Sequence, residues 1–351
     1  MINKGLLEGK DFNILVLKNL KDILDETHIN INNAYTCGYV AISTGLYDLK
    51  KYSEIGLYMV EAFSRAIICG LKPASMDVEL SFPADAGNEA FEDFIMILRQ
   101  AFLDFKLRLN DIRVTFGDNH LPTVRLTVFC EEAKAENSGQ LVNTVKSDKS
   151  VKSVYLDNTD STGLIFSPNI KNKVLPGDSL LMVGRLMEYT SVFMADVLKK
   201  PIEEKYSEEF ENAVKSLYKS SEALEKSVLL DKEIKLISAL SKGGLAAGLW
   251  RVGEYIKKGL KVELSDIPVC QETIEMSEII DVNPYNIYSP GNFLIITQSP
   301  DYIVEKLAKK DIFATKIGFI TDAKEKIIVS GEQKSFLNVN TIDEFYSIRD
   351  I

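Results

Sequence analysis

Apolar residues recur at helical spacing over residues 12–26 (Ile14, Leu15, Leu17, Leu20, Ile23, Leu24) and give way to strand formers over 35–44. A second stripe, Leu57, Val60, Phe63, Ala66 and Ile67, predicts a helix over 53–69, with Ser53 placed to cap its start and Gly70 to stop it. Met76, Val78, Leu80 and Phe82 then alternate with polar partners, as a half-buried strand over 76–82 does. Residues 90–109 read as another amphipathic helix, followed by strands over 112–116 and 124–129. From 131 to 152 the chain turns to Glu, Lys, Asn, Ser and Gly, the composition of an exposed linker.

The second half opens on a turn, Leu175-Pro176-Gly177-Asp178, and a buried-strand run over 179–184. Residues 207–228 predict a long charged helix whose Glu/Lys face is a solvated surface. Within 241–258 the pair Gly243-Gly244 opens a helix with the apolar face Leu245, Leu249, Val252 and Ile256, and Gly259 ends it. The alternating residues Leu260, Val262 and Leu264 predict a strand running on into Ile267-Pro268-Val269, where a proline at the strand's end is tolerated. A buried strand over 293–297, a helix over 300–308 and a closing strand pair, 315–320 with 326–329, complete the pattern. The expectation is an α/β (α+β) protein of two domains, 1–150 and 151–351.

Composition narrows this further. A chain of 351 residues exceeds one ordinary core, and 46% apolar with 26% charged content is that of a globular protein. Its longest apolar runs fall far below the roughly 20 residues that cross a bilayer. The first residues lead into no apolar core of signal-peptide length, so a cytoplasmic location without membrane attachment is the expectation. A net charge of −10 argues against nucleic acid as a partner. Cys37, Cys69, Cys130 and Cys270 lie far apart and read as reduced thiols, and two histidines, His28 and His120, leave little for zinc chemistry. The segment Gly5 to Lys10 imitates a P-loop but has one residue too few and lacks the following Ser/Thr.

Several motifs carry a resemblance. Ser241-Lys242-Gly243-Gly244-Leu245-Ala246, Gly253-Glu254-Tyr255, Ile267-Pro268-Val269, Glu278-Ile279 with Pro284, and Gly291-Asn292 follow a known pattern. It reads D-P-T-R-G-G-L-A, L-N-E-I-A-E, I-P-V, E-I-L-G-L-D-P and N-E-G-R-L. Pro176-Gly177-Asp178 matches the turn that opens the same domain, and the match covers about 174–335. In the first half, residues 64–73 line up with a V-N-D-L-A-x-x-G-A-x-P helix end, Ser43-Thr44-Gly45-Leu46 with T-T-D-S, and Gly117-Asp118 with G-D-T. The chain thus resembles the AIR synthase (PurM-like) superfamily, and within it the family of the hydrogenase maturation factor HypE. That resemblance implies an N-terminal α/β domain whose strands pair with a second copy's in a homodimer barrel, and a C-terminal α/β domain. It also implies ATP with a divalent metal in a cleft between the domains.

The family's aspartates supply metal ligands, and this chain replaces most of them: Gly45 in T-T-D-S, Ser64 and Arg65 in V-N-D-L-A, Ala239 in D-P-T-R-G-G, Arg251 in L-N-E and Pro290 in N-E-G. The C-terminal cysteine that carries the carbamoyl group in HypE is replaced by an ending in Asp350-Ile351. The resemblance therefore implies a divergent member that binds a nucleotide or another phosphorylated ligand without the usual Mg²⁺, a pseudoenzyme candidate. The candidate site comprises Lys242, Gly243 and Gly244 at a helix start suited to phosphate, Arg65 and Arg251 as cations in place of metal, and Asp118 as the one surviving acidic position. The residues also allow blander roles: Arg65 and Arg251 on helix surfaces, Lys242 in solvent, Asp118 as a turn former, and Trp250 in a core or interface. Two alternatives stay open. One is an active ATP-dependent enzyme, a HypE-like dehydratase in hydrogenase maturation or a kinase of the α-ribazole type. The other is a structural subunit that dimerises and engages a protein partner.

Overall fold

The computed structural model describes residues 40–44, 46–68, 71–118, 120–132, 154–155, 174–217, 231–337 and 343–351. The helix expected over 12–26, the first part of the strand over 35–44, the linker from 133 on, Gly45, Cys37, Cys69, Gly70 and His28 lie outside them. The chain divides into two compact units, Met1–Gly163 and Leu164–Ile351.

Unit 1 is built from β1 (Val40–Ser43), β2 (Tyr47–Asp48), α1 (Glu54–Ile68), β3 (Leu71–Pro83), α2 (Asn88–Asp104), β4 (Arg108–Gly117), β5 (Thr123–Glu132) and β6 (Val154–Tyr155). The sheet runs β4-β3-β5-β1-β6, with β2 also on β5. β3 pairs parallel with β4 and antiparallel with β5. The alternation read from sequence sets its two faces. Met76, Val78, Leu80 and Phe82 are buried with Val124, Leu126 and Val128, and α1 packs on β3 and β5. Phe91 meets Phe82 edge-on at 5.4 Å between ring centroids, a favourable aromatic geometry.

The opposite face is polar. Asp77, Glu79 and Ser81 stand beside Asp111, Arg113 and Thr115 on one side and Thr127, Arg125 and Thr123 on the other. Arg113 and Arg125 both reach Glu79, at 3.3 and 3.5 Å. Strand faces left apolar for a second copy to cover, the ground given by the strand pattern for dimerisation, are thus replaced by cross-strand ion pairs. The helix expected to run to 109 ends at Asp104, because Leu107 and Leu109 turn into the core and the chain enters β4 at Arg108. Glu131 and Glu132, taken as linker, finish β5.

Unit 2 contains β7 (Ser179–Val183), α3 (Glu188–Val197), α4 (Lys199–Lys205), α5 (Glu208–Leu217), β8 (Ile234–Ala239), α6 (Gly244–Ile256), β9 (Gly259–Glu263), α7 (Gln271–Ile279), β10 (Phe293–Thr297), α8 (Pro300–Ala308), β11 (Ala314–Thr321), β12 (Lys326–Ser330), β13 (Gln333–Phe336) and α9 (Phe345–Arg349). The strand order is β13-β12-β9-β11-β7-β10-β8. β7, β8 and β10 are buried at every position, which is why they read as continuous apolar runs and not as alternation. α8 packs on β7 and β11, α6 on β8, β9 and β12, and α3, α5 and α7 on one another.

Three expectations need correction. The strands at 315–320 and 326–329 are not partners: β11 and β12 lie on opposite sides of β9, and β12 pairs instead with β13, which the pattern missed because all four of its residues are exposed. The strand through 260–264 does not run on to Val269. It breaks at a 3-10 turn, Leu264–Asp266. Only the first part of the long helix over 207–228 is described, as α5.

The Pro-Gly-Asp turn serves the start of β7. Gly177 adopts φ +89° and donates to the Ile320 carbonyl at 2.8 Å. The buried Asp178 carboxylate caps the Leu175 N–H at 2.7 Å and takes both hydrogen bonds of the Lys235 ammonium, each 3.0 Å. Two opposite charges removed from water in this way must be mutually paired to be tolerated.

Candidate functional site

The start of α6 is shaped by the two glycines. Gly243 (φ +76°) and Gly244 (φ +58°) are both left-handed, a conformation that L side chains rarely adopt. They turn the chain sharply from the end of β8 into the helix. A Cβ on Gly244 would fall 2.5 Å from the Ile287 carbonyl oxygen and 2.8 Å from that of Tyr285. The glycine thus lets α6 abut the 3-10 turn Pro284–Asn286.

The Gly243 N–H points at an anion supplied by the chain itself. It donates to Asp343 Oδ2 at 3.0 Å, while the Tyr288 and Phe345 N–H groups donate to Oδ1 at 2.9 and 3.0 Å. Burial pushes the Asp343 carboxyl above its usual range, against the pull of these three N–H donors and the Lys242 ammonium. Glu344 adds a second anchor, accepting from the Asn283 N–H at 2.6 Å and from Asn286 Nδ2 at 3.0 Å. Sequence reasoning missed both acids. Asp343 lies a hundred residues from Gly243, and nothing near it in the chain marks it as a cap.

The predicted site residues divide between the units. Lys242, Gly243, Gly244 and Arg251 come together at the α6 start: Lys242 is exposed, and Arg251 Nη1 donates to its carbonyl at 3.1 Å. Arg65 and Asp118 belong to unit 1. Arg65 is buried and paired with Glu61 at 2.9 Å, and Glu61 also accepts from the Tyr47 hydroxyl at 3.2 Å. Asp118 is exposed just past the end of β4. Trp250 lies under the Lys326 ammonium, 4.2 Å from the ring centroid, and that ammonium reaches Glu254 at 2.7 Å. Cys130 is buried and Cys270 half-buried, both as free thiols.

A groove of about 410 Å³ adjoins the helix start, lined chiefly by Leu245, Ala246 and Leu249 of α6, Tyr285, Ile328 and Phe336. It combines an apolar wall with a polar end at the Gly243 turn, the usual make-up of a small-molecule site. As for a divalent metal, among the described residues no three acidic, histidine or cysteine side chains come together to hold one. Ala239 and Arg251, at positions where the family pattern has acids, offer no oxygen ligand. The donor set does not fit a metal, and no step is derived through one. No helix among the described residues is long and apolar enough to cross a membrane.

No protein-family model matches the chain. Among curated proteins, it is 29% identical over 163 residues to the phosphoribosylformylglycinamidine synthase subunit PurL of Saccharolobus islandicus, a stretch covering 44% of this chain and 20% of the relative. The PurL of Saccharolobus solfataricus is 28% identical over 117 residues, 33% of this chain and 15% of the relative. The chain spans about a fifth or less of the length of the curated relatives it matches. Among solved structures, E. coli HypE, a hydrogenase maturation protein, superposes with a TM-score of 0.61 at 11% identity, covering 96% of this chain and 98% of that one. HypE in complex with ATP gives 0.61 at 14% identity, with 97% of each chain covered. The thiamine monophosphate kinase of Aquifex aeolicus gives 0.54 at 13%, covering 94% and 99%. At these identities the likeness is one of fold: the chain has the two-domain α/β fold of the AIR synthase (PurM-like) superfamily, as its motifs implied.

Proposed function

We propose that unit 2 binds a nucleotide or another phosphorylated ligand at the start of α6, without a divalent metal. The observation that carries this reading is the Asp343 carboxylate seated on the Gly243 N–H. It marks a position built to hold an anion, at the positive end of a helix. Lys242 adds an exposed ammonium beside it, and the apolar groove along α6 offers room for a base. Solved neighbours of the same fold support the ligand class, since one is HypE with ATP and another a ThiL with AMPPCP and TMP. The reading is of binding and assigns no turnover.

Calorimetry with ATP, ADP and AMP, each with Mg²⁺ or with chelator, tests it. Affinity should be the same in both conditions and should weaken with salt, because the contacts are charge-assisted and near the surface. Strict Mg²⁺ dependence accompanied by ATP turnover would overturn the reading in favour of an active enzyme.

The same proposal includes a homodimer through unit 1, as an edge pairing and not through sheet faces. β4 is a ten-residue strand that pairs only with β3 among the described residues. Its inward apolar residues Ile112, Val114 and Phe116 are half-buried, whereas their β3 partners Val78, Leu80 and Phe82 are fully buried. An unpaired edge with an apolar margin is a template for a second strand. Light scattering that gave a monomer at micromolar concentration would count against it.

A further inference from the structure

We infer that Asp343 is an autoinhibitory contact, the C-terminal segment holding the anion position at Gly243 and competing with any anionic ligand for it. This rests on the ligand reading above and adds its regulation. The carboxylate is not merely near a helix end. Its two oxygens bind backbone N–H groups from three separate stretches of unit 2: Gly243 before α6, Tyr288 after the 3-10 turn, and Phe345 at the start of α9. Such a cradle of convergent N–H donors is what a phosphate oxygen requires. Phosphate and carboxylate therefore cannot share it, since both need the Gly243 N–H and like charges repel at this distance.

The contact is also suited to release. The segment that carries Asp343 is short and terminal, ending at Ile351, and α9 has five residues. It is held by the Asp343 and Glu344 carboxylates together with Phe345 and Ile348, which are buried. Displacing Asp343 would free Phe345 and Tyr288 N–H groups that have no alternative acceptor in the present arrangement, so ligand entry and loosening of α9 are one event.

Two measurements test the inference, both on the full chain with ATP and with inorganic phosphate in the presence of chelator. In calorimetry, Asp343→Ala should bind ATP at least about tenfold more tightly than the parent, an effect of about 1.4 kcal/mol. The matched removal of an exposed carboxylate on α8, Asp301→Ala, should leave affinity unchanged. In hydrogen exchange on the unaltered protein, ATP should accelerate exchange at the Tyr288 and Phe345 amides. Should Asp343→Ala fail to melt cooperatively, Asp343→Asn and the exchange measurement decide. If ATP binds the parent and Asp343→Ala equally, or the variant more weakly, and the two amides are unmoved or slowed, the autoinhibitory role is overturned while the ligand site stands. If ATP binds neither form, the ligand reading falls and this inference falls with it.

Discussion

Helices α1 and α6 face the same problem and solve it over different ranges of sequence. α1 is buried at all but one of its fifteen positions, so its polar side chains need partners inside the protein. It finds most of them on itself, one or two turns away. Glu61 takes Arg65 at i,i+4, and Glu54 takes the Tyr58 hydroxyl at i,i+4, 2.9 Å away. α6 has an apolar, well-buried face, and its difficulty is the unsatisfied N–H groups of its first turn. Its N-cap is a glycine with no side chain to offer, and the Gly243 N–H is satisfied by a carboxylate a hundred residues downstream. Local partnering rigidifies a core helix. Remote partnering leaves a helix end whose satisfaction can be exchanged for something else.

The largest effect should come from breaking the local solution. Glu61→Ala would leave the Arg65 guanidinium buried beside a lost partner and remove the acceptor of the Tyr47 hydroxyl. Loss of one member of a buried pair costs about 3–5 kcal/mol, measured here as a fall in the urea midpoint of unit 1. The double change Glu61→Leu with Arg65→Met should recover most of that loss, since well-packed apolar pairs replace buried ion pairs at little cost. A double variant as unstable as Glu61→Ala would show that Arg65 is held by more than charge balance.

Next is the geometry at the α6 start. Gly244→Ala forces a left-handed non-glycine and sets a Cβ against two carbonyl oxygens that belong to backbone and cannot swing away. A destabilisation of about 2–4 kcal/mol is expected by thermal melting, with Trp250, six positions along the same helix, as the fluorescence reporter. Gly243→Ala should cost less, about 1–2 kcal/mol, because it carries the conformational strain without the same carbonyl contacts. Equal losses at the two positions would mean that the approach to Tyr285 and Ile287 is looser than these distances imply.

These cases mark how far the sequence could be read. The stripe over 53–69 predicted α1 within a residue at each described end, and the i,i+4 spacing of Glu61 and Arg65 was available in the same stripe. The resemblance drew the eye to Arg65 as a lost aspartate and away from its neighbour. Buried strands β7 and β10 and the helix start at Gly243 were legible because apolar runs and glycine turns are local signals. Asp343 was not, since no spacing rule links residues so far apart. The pairing of β12 with β9 and β13 was missed for the same reason: strand order is a property of the packed sheet, and the sequence shows only that two strands are near each other in the chain. The polar face of unit 1 was half visible. The alternation was correct, but which face a second copy might cover depended on Arg113 and Arg125 reaching Glu79 across strands.

The smallest expected effect tests whether partial partnering suffices in unit 1, and it is read against pH. Asp77 sits half-buried on β3, and burial pushes its carboxyl up to about 6. The Asn110 amide and Arg113 pull it back down, while Asp111 and Glu79 push it further up. Unlike Asp343, it has no set of backbone N–H donors printed around it, only one side-chain amide from the neighbouring strand. A carboxyl whose folded value is raised binds its proton more tightly in the folded state than in the unfolded one. Its contribution to stability is therefore fully present below the ordinary value near 3.8 and is lost as pH rises through about 6. The full shift would correspond to about 3 kcal/mol, but solvent screening at a partly exposed sheet face reduces this to about 1 kcal/mol. Urea midpoints of unit 1 should accordingly be lower at pH 7.5 than at pH 5 by that amount relative to Asp77→Asn, in which the same side-chain contact to Asn110 carries no titrating group. Parallel pH profiles for the parent and Asp77→Asn would show that the cross-strand neighbours on this face neutralise Asp77 as completely as Arg65 neutralises Glu61, and the distinction drawn between complete and partial partners within unit 1 would be lost.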